Sequence, residues 1–162
     1  MENRVLTKKD VLEILKSRFE NDNITSLSKF PHPHTMPNSQ KAAKKVKEAI
    51  ENNEKITIVG DYDVDGVVSA AILEEFLARH GADVQTIIPC RFSDGYGLGT
   101  SIVERIETKF VITVDNGIAA IEASKICKDR GIELIIIDHH TIGEELPIAH
   151  AIVHPRIDGG FA

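Results

Sequence analysis

The chain has 162 residues, 42% of them apolar, which suits one compact domain with a real core and excludes a disordered chain. No apolar run approaches the roughly 20 residues of a membrane span, and the opening MENRVLTKKD lacks the apolar segment of a secretory signal, so a cytoplasmic protein with no membrane contact is expected. The net charge of −6 divides into +3 over residues 1–55 and −9 over residues 56–162, which argues against a simple basic nucleic-acid module but leaves a metal-dependent nuclease open, because cations reverse the sign of an acidic site.

Thr7 to Phe19 reads as a helix, with Thr7 as N-cap, Asp10 in the first turn and an apolar stripe of Val11, Leu12, Ile14, Leu15 and Phe19. Residues 21–38, including PHPHTMP, read as a loop. Ser39 opens a second helix, whose stripe is Ala42, Ala43, Val46, Ala49 and Ile50. Its other face carries Lys41, Lys44, Lys45 and Lys47 and is expected to be solvated. From residue 55 apolar runs at 56–59, 84–88, 110–114 and 133–137 alternate with amphipathic stretches near 67–79, 101–107 and 119–130. Gly81 and Gly131 read as helix stops, and Ser101 with Glu104 as a capping box. Nearly continuous apolar strands alternating with helices predict an α/β fold, a parallel sheet with helices on both faces, preceded by an N-terminal helical segment. The expected division is 1–54 for that segment, packed on the core, and 55–162 for the α/β domain; AIV at 151–153 would be a last strand. Cys90 and Cys127 sit in apolar surroundings and read as two buried free thiols.

Three strong strands end in acidic or histidine residues. The first runs into Asp61, Asp63 and Asp65, the third into Asp115-Asn116-Gly117, and the fourth into Asp138-His139-His140. In an open α/β sheet the ligand crevice lies beyond the carboxyl ends of the strands, so parallel strands would gather all three clusters at one edge. Several carboxylates with one or two imidazoles suit Mn²⁺ or Mg²⁺, and two such ions can activate a water and stabilise charge on phosphoryl oxygens. The first cluster also matches the start of a calcium-binding EF-hand loop, but position 12 of that loop is Ile72, where a bidentate Glu is needed. Each of the other two clusters alone could be a turn or a helix cap. The Gly-rich loop at 91–99 could approach a phosphate, with Arg91 pairing to its charge, or be only a structural turn. His32, His34, His150 and His154 read as ordinary loop histidines.

GDYDVDG at 60–66, VDNG at 114–117 and DHH at 138–140 resemble the first three motifs of the DHH phosphoesterase superfamily. PCRFSDGYGL at 89–98, and the helix before EKITIVGDYDVDG, are similar to the RecJ type of single-strand-specific 5′-to-3′ exonuclease, and the resemblance runs from about residue 25 onward. It implies hydrolysis of phosphodiester bonds in single-stranded DNA, with two Mn²⁺ or Mg²⁺ ions, in DNA recombination and repair. It implies that Asp61, Asp63 and Asp65 ligate metal, that Asp115 bridges the ions and that His139 ligates. His140 would bind or polarise the phosphate, and Asp138 would orient a histidine from behind the ligands. Recombination and repair proteins are the implied partners, beside single-stranded DNA.

Val59 stands where many members carry a histidine, and Asp61 is expected to fill that role. The superfamily's fourth motif lies downstream of DHH and is not found before Ala162. The chain is therefore expected to be an N-terminal part of the catalytic core, with an incomplete metal site, weak metal affinity and little activity alone. Two other readings remain. One is a phosphoesterase acting on short oligonucleotides or cyclic dinucleotides, which the 89–98 loop disfavours. The other is a silent scaffold, which the intact Asp63, Asp65, Asp115, His139 and His140 disfavour.

Overall fold

The structure, a computed structural model, describes residues 7–18 and 31–157; Phe19 and residues 21–30 of the expected first helix and loop lie outside them. The chain divides into two units, residues 1–32 and 33–162. In the first, α1 (Lys8–Arg18) opens on a reciprocal cap: the Thr7 amide donates to Asp10 Oδ2 at 2.8 Å, and the Asp10 amide donates to Thr7 Oγ1 at 3.3 Å. Its apolar stripe, Val11, Leu12, Ile14 and Leu15, is exposed.

In the second unit a 3₁₀ turn at Pro33–Thr35 precedes α2 (Ser39–Glu51). Then follow β1 (Ile56–Val59), α3 (Val64–Arg79), β2 (Val84–Ile87), α4 (Thr100–Arg105), β3 (Phe110–Val114), α5 (Ile121–Asp129), β4 (Glu133–Ile137) and β5 (Ala151–Val153). All strand pairs are parallel, in the order β2-β1-β3-β4-β5. This is the expected α/β sheet. Side chains of alternating parity leave its two faces. Ile56, Ile58, Phe110, Ile112 and Ile135 pack against Ala42 and Ala49 of α2 and Ala70 and Leu77 of α3. Val59, Val111, Leu134 and Ile136 pack against Ile102 and Val103 of α4 and Ala123 and Cys127 of α5. Covering on both faces is why the three middle runs carry so few polar residues. Gly81 and Gly131 end α3 and α5 with φ of 84° and 65°, as their positions predict.

Four local readings are corrected. α3 begins three residues earlier than its apolar pattern suggests, because Asp63 caps it by accepting the Gly66 amide at 3.0 Å. Ser101 caps nothing; α4 opens on the extended Gly99, with no side-chain cap. Lys45 does not share the solvated face of its neighbours. It is buried, pairs with Glu133 and with Glu54 (3.6 Å), and lies 5.4 Å from the centre of the Phe110 ring. The fourth correction concerns the cysteines, of which only Cys127 is buried. Burial pushes the Cys127 thiol up to about 11, whereas hydrogen bonds from Ser93 and the amides of Phe92 and Ser93 hold the exposed Cys90 thiol below its usual range. Iodoacetamide at neutral pH should therefore label Cys90 in the folded protein and reach Cys127 only on unfolding. Peptide mass spectrometry showing equal labelling of both would contradict this.

Candidate metal and phosphoester site

The strand order reverses direction between β1 and β3, and this is where the crevice of such a sheet opens. Asn116 bridges the opening. Its side-chain amide donates to the carbonyls of Val59 (3.0 Å) and Val114 (2.9 Å), and its Oδ1 accepts the Leu98 amide at 3.0 Å. One buried side chain thus ties the ends of β1 and β3 to the Gly-rich loop. Gly97 makes that contact possible: its φ is 55°, and a Cβ there would meet Asn116 at 2.7 Å. Gly66 has a similar role beneath the first cluster, since a Cβ would meet the Asp61 backbone at 2.5 Å.

Asp61, at the end of β1, is 1% exposed, and its Oδ1 is buried with no hydrogen-bond partner. Burial raises its carboxyl above the usual range; the Tyr62 amide lowers it and the Asp63 charge raises it again. Asp115, after β3, adopts the left-handed conformation (φ 62°) and is buried. Burial, then the charge of Asp63, raises it too, against the hydrogen bond from His139 Nε2 at 3.0 Å. Asp115, His139 and His140 each offer a ligand atom, all within 4.8 Å of one another.

Asp138 is different. Its Oδ2 accepts the Ile118 amide at 2.9 Å, and its Oδ1 accepts the amides of His139 (2.7 Å) and His140 (3.1 Å) and pairs with His140 Nδ1 at 2.7 Å. Burial opposes its charge, but these donors together hold the carboxyl below its ordinary range. The same pairing raises the His140 imidazole. Asp138 is thus a carboxylate saturated by its own loop, and it fixes both histidines.

The sheet edge therefore brings together Asp61, Asp63, Asp115, Asp138, His139 and His140. Asp65 is exposed in the first turn of α3 and is not among the charges that act most on Asp61 or Asp115. Arg91 is exposed and lies over the Tyr62 ring, 5.4 Å from its centre. Two residues escape reasoning from sequence alone. Tyr96 places its hydroxyl 3.2 Å from the Asp115 carbonyl and 3.2 Å from His140 Nε2, with its ring edge-on to both Tyr62 and His140. Burial, then the surrounding carboxylates, pushes its hydroxyl up, so it remains a donor. His154 is no ordinary loop histidine: it is fully buried, its Nε2 meets the His140 carbonyl at 2.8 Å, and its Nδ1 accepts the Arg156 amide at 3.0 Å. The only hint of Tyr96 in sequence was its place among glycines, Gly95-Tyr96-Gly97-Leu98-Gly99.

Two crowded, desolvated carboxylates, one with an oxygen lacking any partner, beside two imidazoles form a donor set that a divalent oxygen-preferring cation fits. Without a cation the ionised Asp61 should cost stability. Its folded pKa is raised above the unfolded value, so ionisation works against the fold as pH rises through the titration of this carboxyl. Asp61→Asn should accordingly raise the melting temperature of the metal-free protein at neutral pH, with the gain shrinking on acidification. Equal melting temperatures of the two proteins at every pH would disprove it.

Residues 55–160 match the DHH family, N-terminal domain. The single-stranded-DNA-specific exonuclease RecJ of Bacillus subtilis is 43% identical over 133 residues, covering 80% of this chain and 17% of that protein. RecJ of Escherichia coli is 34% identical over 122 residues, covering 73% and 21%. A crystal structure of exonuclease RecJ bound to manganese superposes with a TM-score of 0.72 at 36% identity, over 76% of this chain and 32% of that one. RecJ from Thermus thermophilus in complex with Mn²⁺ gives 0.62 at 36% identity, over 72% and 16%. The chain thus spans about a fifth of the length of these curated relatives.

Proposed function

This chain belongs to the DHH family, whose N-terminal domain its residues 55–160 match, and from that membership we propose that it forms part of a metal-dependent hydrolase of phosphodiester bonds in single-stranded DNA, a 5′-to-3′ exonuclease of DNA recombination and repair. The observation that carries the proposal is the convergence of Asp61, Asp63, Asp115, Asp138, His139 and His140 on one sheet edge, with two carboxylates destabilised by burial. The relatives named above support the substrate and the metal: the RecJ proteins of Bacillus subtilis and Escherichia coli are single-stranded-DNA-specific exonucleases, and the two solved RecJ structures hold manganese.

In this reading Asp61, Asp63, Asp115 and His139 would hold two Mn²⁺ or Mg²⁺ ions, with Asp115 as their common ligand and Asp65, exposed in the first turn of α3, as a further carboxylate at the rim. Such ions supply positive charge opposite the phosphoryl oxygens and acidify the attacking water. The chain's own groups do the rest. Asp138 fixes His139 and His140 through their backbone amides and the His140 ring. His140, protonated more readily because of that pairing, would turn Nε2, which lies 3.2 Å from the Tyr96 hydroxyl, to donate to a phosphate oxygen. Arg91, over the Tyr62 ring, offers a second cation at the rim.

The test uses the full-length protein carrying this chain, with Mn²⁺ and 5′-labelled single-stranded DNA in one arm and a dinucleotide in the other. Mononucleotides released from long DNA are expected. Cleavage of the dinucleotide alone would overturn the exonuclease assignment, and no Mn²⁺-dependent cleavage of either would overturn the hydrolase.

A further inference from the structure

His154 stands on a fixed base. It directly follows β5, which pairs with β4 from Ile135 to Ile137, and the carbonyl of Val153 accepts the Asp138 amide at 3.1 Å. From the other side, Asn38 Nδ2 donates to the Ile152 carbonyl at 3.0 Å. The imidazole is fully buried, and its partners set its tautomer. An amide can only donate, so Nδ1, which meets the Arg156 amide, is the bare nitrogen. Nε2 therefore carries the proton and donates it to the His140 carbonyl.

We propose that His154 is a positioning residue of the hydrolase, which holds the His140 carbonyl so that the His140 ring stays between Asp138 and Tyr96. The inference rests on the phosphate-binding role given to His140 above and names what keeps that residue in place.

Two observations carry it. The first is the asymmetry of the restraints on His140. On its amino side the residue is tied twice to Asp138 Oδ1, by its amide at 3.1 Å and by ring Nδ1 at 2.7 Å. On its carboxyl side the chain runs out into residues 141–147, which make no hydrogen bond with any described residue, and 143–146 are exposed. Among the described residues, His154 alone grips the His140 carbonyl and separates the histidine from this loop. The second is the fit of the side chain to two tasks. Nδ1 closes the turn over Pro155, whose nitrogen has no hydrogen to give, and Nε2 reaches His140. A buried imidazole with both nitrogens engaged has one orientation, and it passes that orientation to the carbonyl it holds.

The two tasks separate by substitution. Asparagine has its polar atoms at the distance of Nδ1 from the backbone, so His154→Asn keeps the turn, by accepting the amide two residues on, and loses the reach to His140. Glutamine has them at the distance of Nε2, so His154→Gln keeps the donor to His140 and loses the turn. Turnover of single-stranded DNA with Mn²⁺ by the full-length protein, beside melting curves, tests the proposal. His154→Asn should lose roughly tenfold or more in activity, as when a partner behind a functional group of a metal site is removed. His154→Gln should keep most of it. In a His140→Ala background His154→Asn should cost no further activity, because the group it acts through is gone. That cycle decides the matter even where the glutamine variant does not fold. Wild-type turnover in His154→Asn, a folded His154→Gln no more active than His154→Asn, or a full further loss in the His140→Ala background would overturn the positioning role alone. A wild-type protein without Mn²⁺-dependent cleavage would overturn the hydrolase reading, and the role with it.

Discussion

Asp115→Asn in the full-length protein is expected to abolish metal-dependent hydrolysis while leaving the protein folded. Asparagine keeps the shape of the side chain and is one of the few residues at ease in the left-handed conformation that Asp115 adopts. The backbone is held independently, by the Asp115 amide on the Ile137 carbonyl at 2.9 Å and by the Tyr96 hydroxyl on the Asp115 carbonyl. Only the charge is lost, and with it the carboxylate that would be shared between two ions. The loss of activity should exceed the roughly 10–100-fold typical of removing an outer partner of a metal ligand. Asp115→Ala should be as inactive and less stable by about 1–2 kcal/mol, because alanine pays the left-handed strain. Steady-state kinetics with Mn²⁺ and melting curves of the metal-free proteins check both statements. Turnover near wild type in the asparagine variant would remove Asp115 from the ligand set.

Asp138 should behave in the opposite way, as a determinant of stability first. Its carboxylate accepts three backbone amides and one imidazole, and its side chain is almost fully buried. Asp138→Ala leaves those amides without acceptors and frees both histidines, at a cost of about 3 kcal/mol or more. Asparagine restores the shape but only one accepting oxygen, so it should rescue only part of the loss. The pH dependence carries the signature. The folded pKa of Asp138 is depressed below its unfolded value, so its contribution is fully present at neutral pH and is lost as pH falls through the carboxylate range toward the folded pKa. Denaturant midpoints of wild type and Asp138→Ala should converge on acidification because wild type loses the Asp138 contribution, whereas those of wild type and Asp61→Asn should converge because the penalty of the ionised Asp61 disappears from wild type. A constant gap between wild type and Asp138→Ala at all pH values would contradict the charge-based account.

The strands were legible because each is a short apolar run closed by a turn residue or a charge, and their parallel pairing followed from the helices between them. The start of α3 was not. Val64, Val67 and Val68 are exposed and make no inward stripe, so the only signal was Asp63, which reads equally well as a ligand and as a cap. The carboxylates and DHH histidines were legible because they cluster at strand ends. Asn116 looked like a turn former, and its tie between β1, β3 and the 91–99 loop exists only once three segments distant in sequence have met. Tyr96, His154 and Lys45 escaped for the same reason: each side chain acts on a partner more than a dozen residues away or on one that topology alone brings near, at a position where local pattern suggested loop or solvent.

The sheet order has one more consequence. β1 and β3 lie between other strands and are fully buried, whereas β2 at one edge is half-exposed along its length. Amide hydrogens of β1 and β3 should therefore exchange with solvent only through global unfolding, while β2 exchanges through smaller openings. Asp61 and Asp115 are attached directly to the two slowest strands. The groups that must keep sub-ångström register with one another are thus anchored in the last part of the molecule to open, and thermal breathing at the edges leaves them in place.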